Sequence, residues 1–217
     1  MANLIRAVIW DLDGVIIDSA ESHLKAWWRL AREEGLPFSD EQFWSTFGWR
    51  NDTIIPHLWG AMPPERVKAL ADRKEAYFRD FVREVARPLP GAIELLSALH
   101  DAAYRQALAS STPPANIELI WELLGLGRYL DTFVSGESVP RGKPAPDLFL
   151  KAAEKLATEP AQCVVIEDAV AGIEAAHAGG MRAIAVAGER DLPGLRAADL
   201  MVKDLTEVSV ESIRKLA

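Results

Sequence analysis

Cysteine is almost missing from this chain. Of 217 residues only Cys163 is one, so no internal disulfide can brace the fold. Cys163 sits in the apolar run Gln162-Cys163-Val164-Val165-Ile166, which reads as a buried strand, and its thiol is expected to be inert core packing. Positive charge is also short. Lys and Arg number 24 against 32 Asp and Glu, a net charge of −8, whereas a nucleic-acid partner would want a basic face. No apolar run approaches the roughly 18 residues of a membrane span. The N-terminal apolar stretch is broken by Arg6 and ends at Asp11 without a small-residue cleavage site, so no secretory signal is expected. A cytoplasmic protein is the expectation. Internal repeats and low-complexity segments are absent too. What remains is ordinary for a globular chain, 49% hydrophobic and 26% charged, long enough for one good core with a small inserted domain.

The most informative segment is Ala7-Val8-Ile9-Trp10-Asp11-Leu12-Asp13-Gly14. An apolar run stops at two carboxylates spaced i, i+2, and in an extended chain those side chains point the same way. Asp11 and Asp13 can therefore converge beyond the strand. Converging carboxylates repel, so such a site needs a cation, a shared proton or both. The arrangement suits a Mg²⁺-dependent reaction in which one carboxylate is nucleophile and the other carries a proton. A surface Asp-rich turn would read the same in isolation.

Short aliphatic runs alternate with helical patterns, which predicts a Rossmann-like α/β fold with a parallel sheet under helices. The strands are expected at Arg6–Trp10, Arg105–Ala109, Thr132–Val134, Cys163–Ile166, Ala183–Val186 and Leu200–Val202. Helices are expected at Ala92–Ala102, Ala115–Leu124, Pro146–Leu156 and Gly172–Ala178. Thr112 offers a capping hydroxyl before Pro113-Pro114, and Gly179-Gly180 closes the last of these helices. Residues 19–86 break the alternation, with helical periodicity and no strand, and hold five of the seven tryptophans. They read as an all-helical module inserted into an α/β core of residues 1–18 and 87–217. Leaving from the end of the first strand, it would hang over the ligand-binding edge of the sheet as a lid. Its tryptophans are expected to serve mainly as core.

The other strand ends carry chemistry as well. After the second come Ser110, Ser111 and Thr112, hydroxyls before a helix N-terminus, which suits an anionic phosphate. After the third, Lys143 lies between Gly142 and Pro144-Ala145-Pro146, where one ammonium could be aimed inward. After the fourth come Glu167 and Asp168, good ligands for a hard cation. Singly, each has an ordinary reading as cap or solvated loop.

Taken in order, Asp-x-Asp-Gly, then Ser, then Gly-Lys-Pro-x-Pro-Asp, then Glu-Asp-x-x-x-Gly resembles the four-motif pattern of the haloacid dehalogenase superfamily. Within it the chain is similar to the branch with a helical cap that contains beta-phosphoglucomutase and the sugar-phosphate and phosphoglycolate phosphatases. The resemblance implies that Asp11 attacks phosphorus, Asp13 protonates the leaving oxygen, Ser110 bonds a phosphoryl oxygen and Lys143 offsets charge. It implies Mg²⁺ held by Asp11, the Asp13 carbonyl and Asp168, with Glu167 in support. Asp13 argues for phosphate esters over halides, because a departing alkoxide needs an acid and a halide does not.

In the insertion, the resemblance offers His23, Gly48, Arg50 and Lys74 as substrate-facing residues, with Asn116 of the core as a further phosphate contact. His23 matches a functional histidine of the mutase. Arg50 and Lys74 match cations that could read a second phosphate, or else are general phosphate-binding or surface residues. The loops around Gly48 and Pro113 differ from the mutase pattern. A phosphatase acting on a small phosphorylated metabolite is therefore expected, with mutase action as the alternative and a catalytically idle binding protein as a remote one. The expected partner is that metabolite, with no nucleic acid, membrane or second subunit.

Overall fold

In the computed structural model, which describes residues 4–189 and 192–217, six aliphatic runs pair into one parallel sheet. They are β1 (Ala7–Trp10), β2 (Arg105–Ser110), β3 (Thr132–Ser135), β4 (Cys163–Glu167), β5 (Arg182–Val186) and β6 (Leu200–Val202), in the spatial order β3-β2-β1-β4-β5-β6. Every residue of β1 and β4 is buried, as befits strands covered on both faces.

The helices are α1 (Ala20–Glu34), α2 (Asp40–Thr46), α3 (Asn51–Trp59), α4 (Pro64–Val85), α5 (Ala92–Asp101), α6 (Pro114–Leu124), α7 (Asp147–Lys155), α8 (Val170–Ala178) and α9 (Val210–Arg214). The expected elements are present with ends moved by one or two residues. Among the described residues, no helix is long and apolar enough to cross a membrane. The chain forms two compact units, Ser19–Ala86 and the remainder, which joins the residues up to Asp18 to Arg87–Ala217.

In the sheet unit, Leu148 and Phe149 of α7 and Ile173 of α8 pack on the strand face that carries Ile9, Ala107 and Val165. On the other face, buried Trp10 donates its indole N–H to Gln106 Oε1 at 3.0 Å, and the Gln106 amide donates to Leu96 O of α5 at 2.9 Å. A buried indole is thus satisfied, and α5 is tied to the sheet. The chain's exit and return are clamped within this unit, where Leu89 N–H donates to Ile16 O at 2.8 Å.

In the helical unit, Trp27, Leu30, Phe43, Ile54, Ile55 and Leu70 form the core. The expectation for its tryptophans is corrected here. Trp27 is buried, but Trp28, Trp44 and Trp49 are 45%, 51% and 38% exposed. Trp27 and Trp28 are adjacent on α1, so helical geometry cannot turn both rings inward. Trp28 uses its polar edge at the surface, donating to Asp40 Oδ1 at 2.9 Å. On α2, Phe43 takes the buried position and Trp44 beside it faces out.

Candidate active site

β1 has β2 on one side and β4 on the other, so the chain order reverses at its carboxyl end. Open parallel sheets leave a ligand crevice at such a point. Trp10 is level with Leu108 and Ile166, and the Asp11 N–H continues the ladder to Ile166 O at 2.9 Å. Ser110, Ser135 and Glu167 are the last residues of β2, β3 and β4, not the first residues beyond them. The ladder thus reaches the polar side chains themselves.

On the β4 side, charge is concentrated. The Lys143 ammonium donates to Asp11 Oδ1 at 2.7 Å and to Glu167 Oε1 at 3.0 Å, and all three side chains are buried. Carboxylate oxygens of Asp11, Glu167 and Asp168 lie within 4.8 Å of one another. Burial pushes the Asp11 carboxyl up to about 7, with Lys143 opposing and Asp168 and Asp13 reinforcing. Burial, and then Asp11, drive Glu167 well above the carboxylate range despite Lys143. Burial alone would lower Lys143, but Asp11 and Glu167 outweigh it and hold the ammonium charged.

This donor set fits a divalent metal. One ammonium faces a surplus of buried acids, and Glu167 Oε2 is buried without a hydrogen-bond partner. Oxygen-only donors suit a hard cation, and the cluster is close to the roughly 4 Å span between opposite oxygens of a Mg²⁺ shell with bonds of about 2.0–2.1 Å. Gly14 completes the fit. Its φ is +80°, and a Cβ there would fall 2.1 Å from Asp168 Oδ2.

On the β2 side, hydroxyls are gathered. The Thr112 hydroxyl donates to Asp13 Oδ2 at 3.1 Å. The expected capping role of Thr112 is therefore corrected, since Pro113 takes the cap position of α6 and no side chain caps it. Ser110 Oγ accepts from the Thr112 N–H at 3.2 Å, and this leaves its own proton to give. Ser135 escaped the sequence reading, which ended its strand at Val134. Its hydroxyl donates to Thr112 O at 2.7 Å and so steadies the same loop. Ser111 is half-buried and packs against Gly136, and Asn116 is fully buried in the first turn of α6.

The remaining candidates lie in the helical unit. His23 stacks on Phe78 with centroids 3.8 Å apart, and its Nδ1 is 2.6 Å from Lys74 Nζ. Lys74 also donates to Glu75 Oε1 at 2.9 Å, and Asn51 Nδ2 donates to the same oxygen at 2.6 Å. The reading of Lys74 as a surface residue is thus corrected: α4 turns it and Glu75 into the buried stripe of Val67, Leu70 and Phe78. Burial pushes the Glu75 carboxyl up, but Lys74 and His23 outweigh it and hold it below its ordinary range. Arg50, after Gly48 and Trp49, forks onto Asp52 with Nη2 to Oδ2 at 2.6 Å and Nε to Oδ1 at 3.2 Å.

A model of the haloacid dehalogenase-like hydrolases matches residues 5–180. The chloroplastic 5-amino-6-(5-phospho-D-ribitylamino)uracil phosphatase of Arabidopsis thaliana is 33% identical over 96% of this chain, which spans only 57% of that protein. Hexitol phosphatase A of Escherichia coli is 33% identical, with 94% of each chain covered. Among solved structures, a beta-phosphoglucomutase from Clostridium difficile matches with a TM-score of 0.89 at 27% identity, over 98% of this chain and 96% of that one.

Proposed function

The chain belongs to the haloacid dehalogenase-like hydrolase family, and we propose that it is a Mg²⁺-dependent phosphatase acting on a small phosphorylated metabolite, by class a sugar phosphate, through Asp11. One observation carries this reading: the Lys143 ammonium set between Asp11 and Glu167 at 2.7 and 3.0 Å. It holds a buried carboxylate in place beside an acid cluster suited to a cation. Hydrolases of this family generally use a divalent metal. The choice of Mg²⁺ is part of the proposal.

In the first step, an Asp11 oxygen attacks phosphorus and the bond to the leaving oxygen breaks. Asp13 gives its carboxylic proton to that oxygen, and the alcohol departs neutral. Water then attacks the phosphorus of the aspartyl phosphate, Asp13 takes the proton back, and Asp11 and inorganic phosphate are released. Thr112 keeps Asp13 aimed, and Lys143 balances the charge that gathers around Asp11. The Ser110 hydroxyl offers a donor to the phosphoryl oxygens. Asp11, the Asp13 carbonyl and Asp168, with Glu167 in support, would hold Mg²⁺, which would supply further positive charge against those oxygens.

Residues 19–86 are the cap that selects the substrate in this reading. A mutase must grip a second phosphate, whereas Arg50 and Lys74 are each already paired with a carboxylate. Those pairings support hydrolysis. The lone buried cysteine suits a cytoplasmic setting, and the same reading takes the enzyme as a monomer.

The test is a panel of sugar phosphates assayed for inorganic phosphate, including β-glucose 1-phosphate with a trace of the 1,6-bisphosphate. Phosphate release that stops in excess chelator and returns with Mg²⁺ is expected. Rapid isomerisation with negligible phosphate release would assign a mutase instead. Full activity in chelator would contradict the cation site.

A further inference from the structure

Gly172 stands in the first turn of α8, shortly after Glu167. It is not among the glycines with positive φ, and helix propensity alone would favour alanine there. Backbone freedom is therefore not what the position requires. Space is. A Cβ built on Gly172 would fall 1.8 Å from Glu167 Oε1 and 2.2 Å from both its Cγ and Cδ.

The Glu167 side chain thus lies across the α8 backbone in the room that glycine leaves. From there Oε1 meets Lys143 Nζ at 3.0 Å, while Oε2 stays buried and without a hydrogen-bond partner. Glu167 is 1% exposed, so a displaced carboxylate could not simply swing into water. It would have to leave Lys143, or push on Asp11 and Asp168.

We propose that Gly172 is a positioning residue. Its missing side chain seats Glu167 in the rotamer that faces Lys143 and Asp11, and so sets the affinity of the acid cluster for a divalent cation. This rests on the reading of Asp11, Glu167 and Asp168 as a cation site. No contact of Gly172 with substrate or metal is involved, because it acts through Glu167.

The experiment is calorimetric titration of Mg²⁺ into metal-free wild type, Gly172→Ala, Glu167→Ala and the double variant. Melting curves in chelator check the fold of each. Gly172→Ala is expected to weaken Mg²⁺ binding by about tenfold or more, the scale of outer-sphere changes around metal ligands. With Glu167 already truncated there is nothing to displace, so the same change should then weaken binding less than about twofold, the non-additivity of residues in contact. Wild-type affinity in Gly172→Ala would overturn the proposal, as would equal losses in both backgrounds. If wild type bound no Mg²⁺, the cation-site reading would fall and this one with it. Should Gly172→Ala fail to fold, recovery of folding in the double variant supports the steric coupling. Failure there too refutes it.

Discussion

The Thr112 hydroxyl donates to Asp13 Oδ2 at 3.1 Å, and this bond ties the loop after β2 to the loop after β1. It gives the half-buried Asp13 carboxyl a fixed direction. Thr112 is itself steadied by Ser135, which donates to its carbonyl at 2.7 Å.

Thr112→Val keeps the shape and removes the bond. Turnover of alkyl phosphates is expected to fall roughly tenfold, a fraction of the ~10²–10⁴ that general acid–base catalysis supplies. Activated aryl phosphates, whose leaving groups need little protonation, should lose much less. Steady-state kinetics on one ester of each kind decides it, and equal losses would mean that Thr112 only shapes the loop.

Asp11→Asn should reduce turnover by orders of magnitude and leave the fold intact. It also has a consequence for pH. The Asp11 carboxyl is raised from 3.8 to about 7, so between those values the folded metal-free protein binds a proton that the unfolded chain has lost. Stability then falls as pH rises through that window. Metal-free wild type is accordingly expected to lose stability relative to Asp11→Asn between pH 4 and 7, with Mg²⁺ reversing the trend. Urea midpoints of both proteins across that range, with and without Mg²⁺, check the sign.

Lys74→Met tests what the buried pair in the helical unit does. It removes the ammonium that pairs with buried Glu75, which costs about 3–5 kcal/mol for a broken buried pair. Lys74→Met with Glu75→Leu should recover part of that loss. Chemical denaturation measures both, and an unchanged midpoint in Lys74→Met would show that the pair contributes nothing.

Cys163 provides a check on the core. Burial, reinforced by Glu159, pushes its thiol up to about 12, so at pH 8 the nucleophilic thiolate is scarce. Native protein should resist iodoacetamide, and urea-unfolded protein should react at once. Mass spectrometry reads the difference, and rapid native labelling would contradict the buried β4.

Much of the site was legible because it is local. Asp11 and Asp13 follow directly on an apolar run, and Lys143 is bracketed by glycine and proline within a few residues of chain. The partnerships were not legible. Thr112 reads as a cap from its neighbours, and only the approach of Asp13 from 99 residues away claims its hydroxyl. Lys74 reads as a phosphate-binding cation or a surface one, until α4 packs on α1 and His23 meets it across 51 residues.

The sequence by itself determined the alternation of strands and helices, the inserted helical segment and the set of polar residues at the strand ends. Those follow from side-chain period and turn chemistry, which act over a few residues. Tertiary structure alone decided which acid shares Lys143 and which tryptophans face out. Each of these depends on the volume and charge left by residues distant in the chain, and that remainder exists only once each unit has packed by itself.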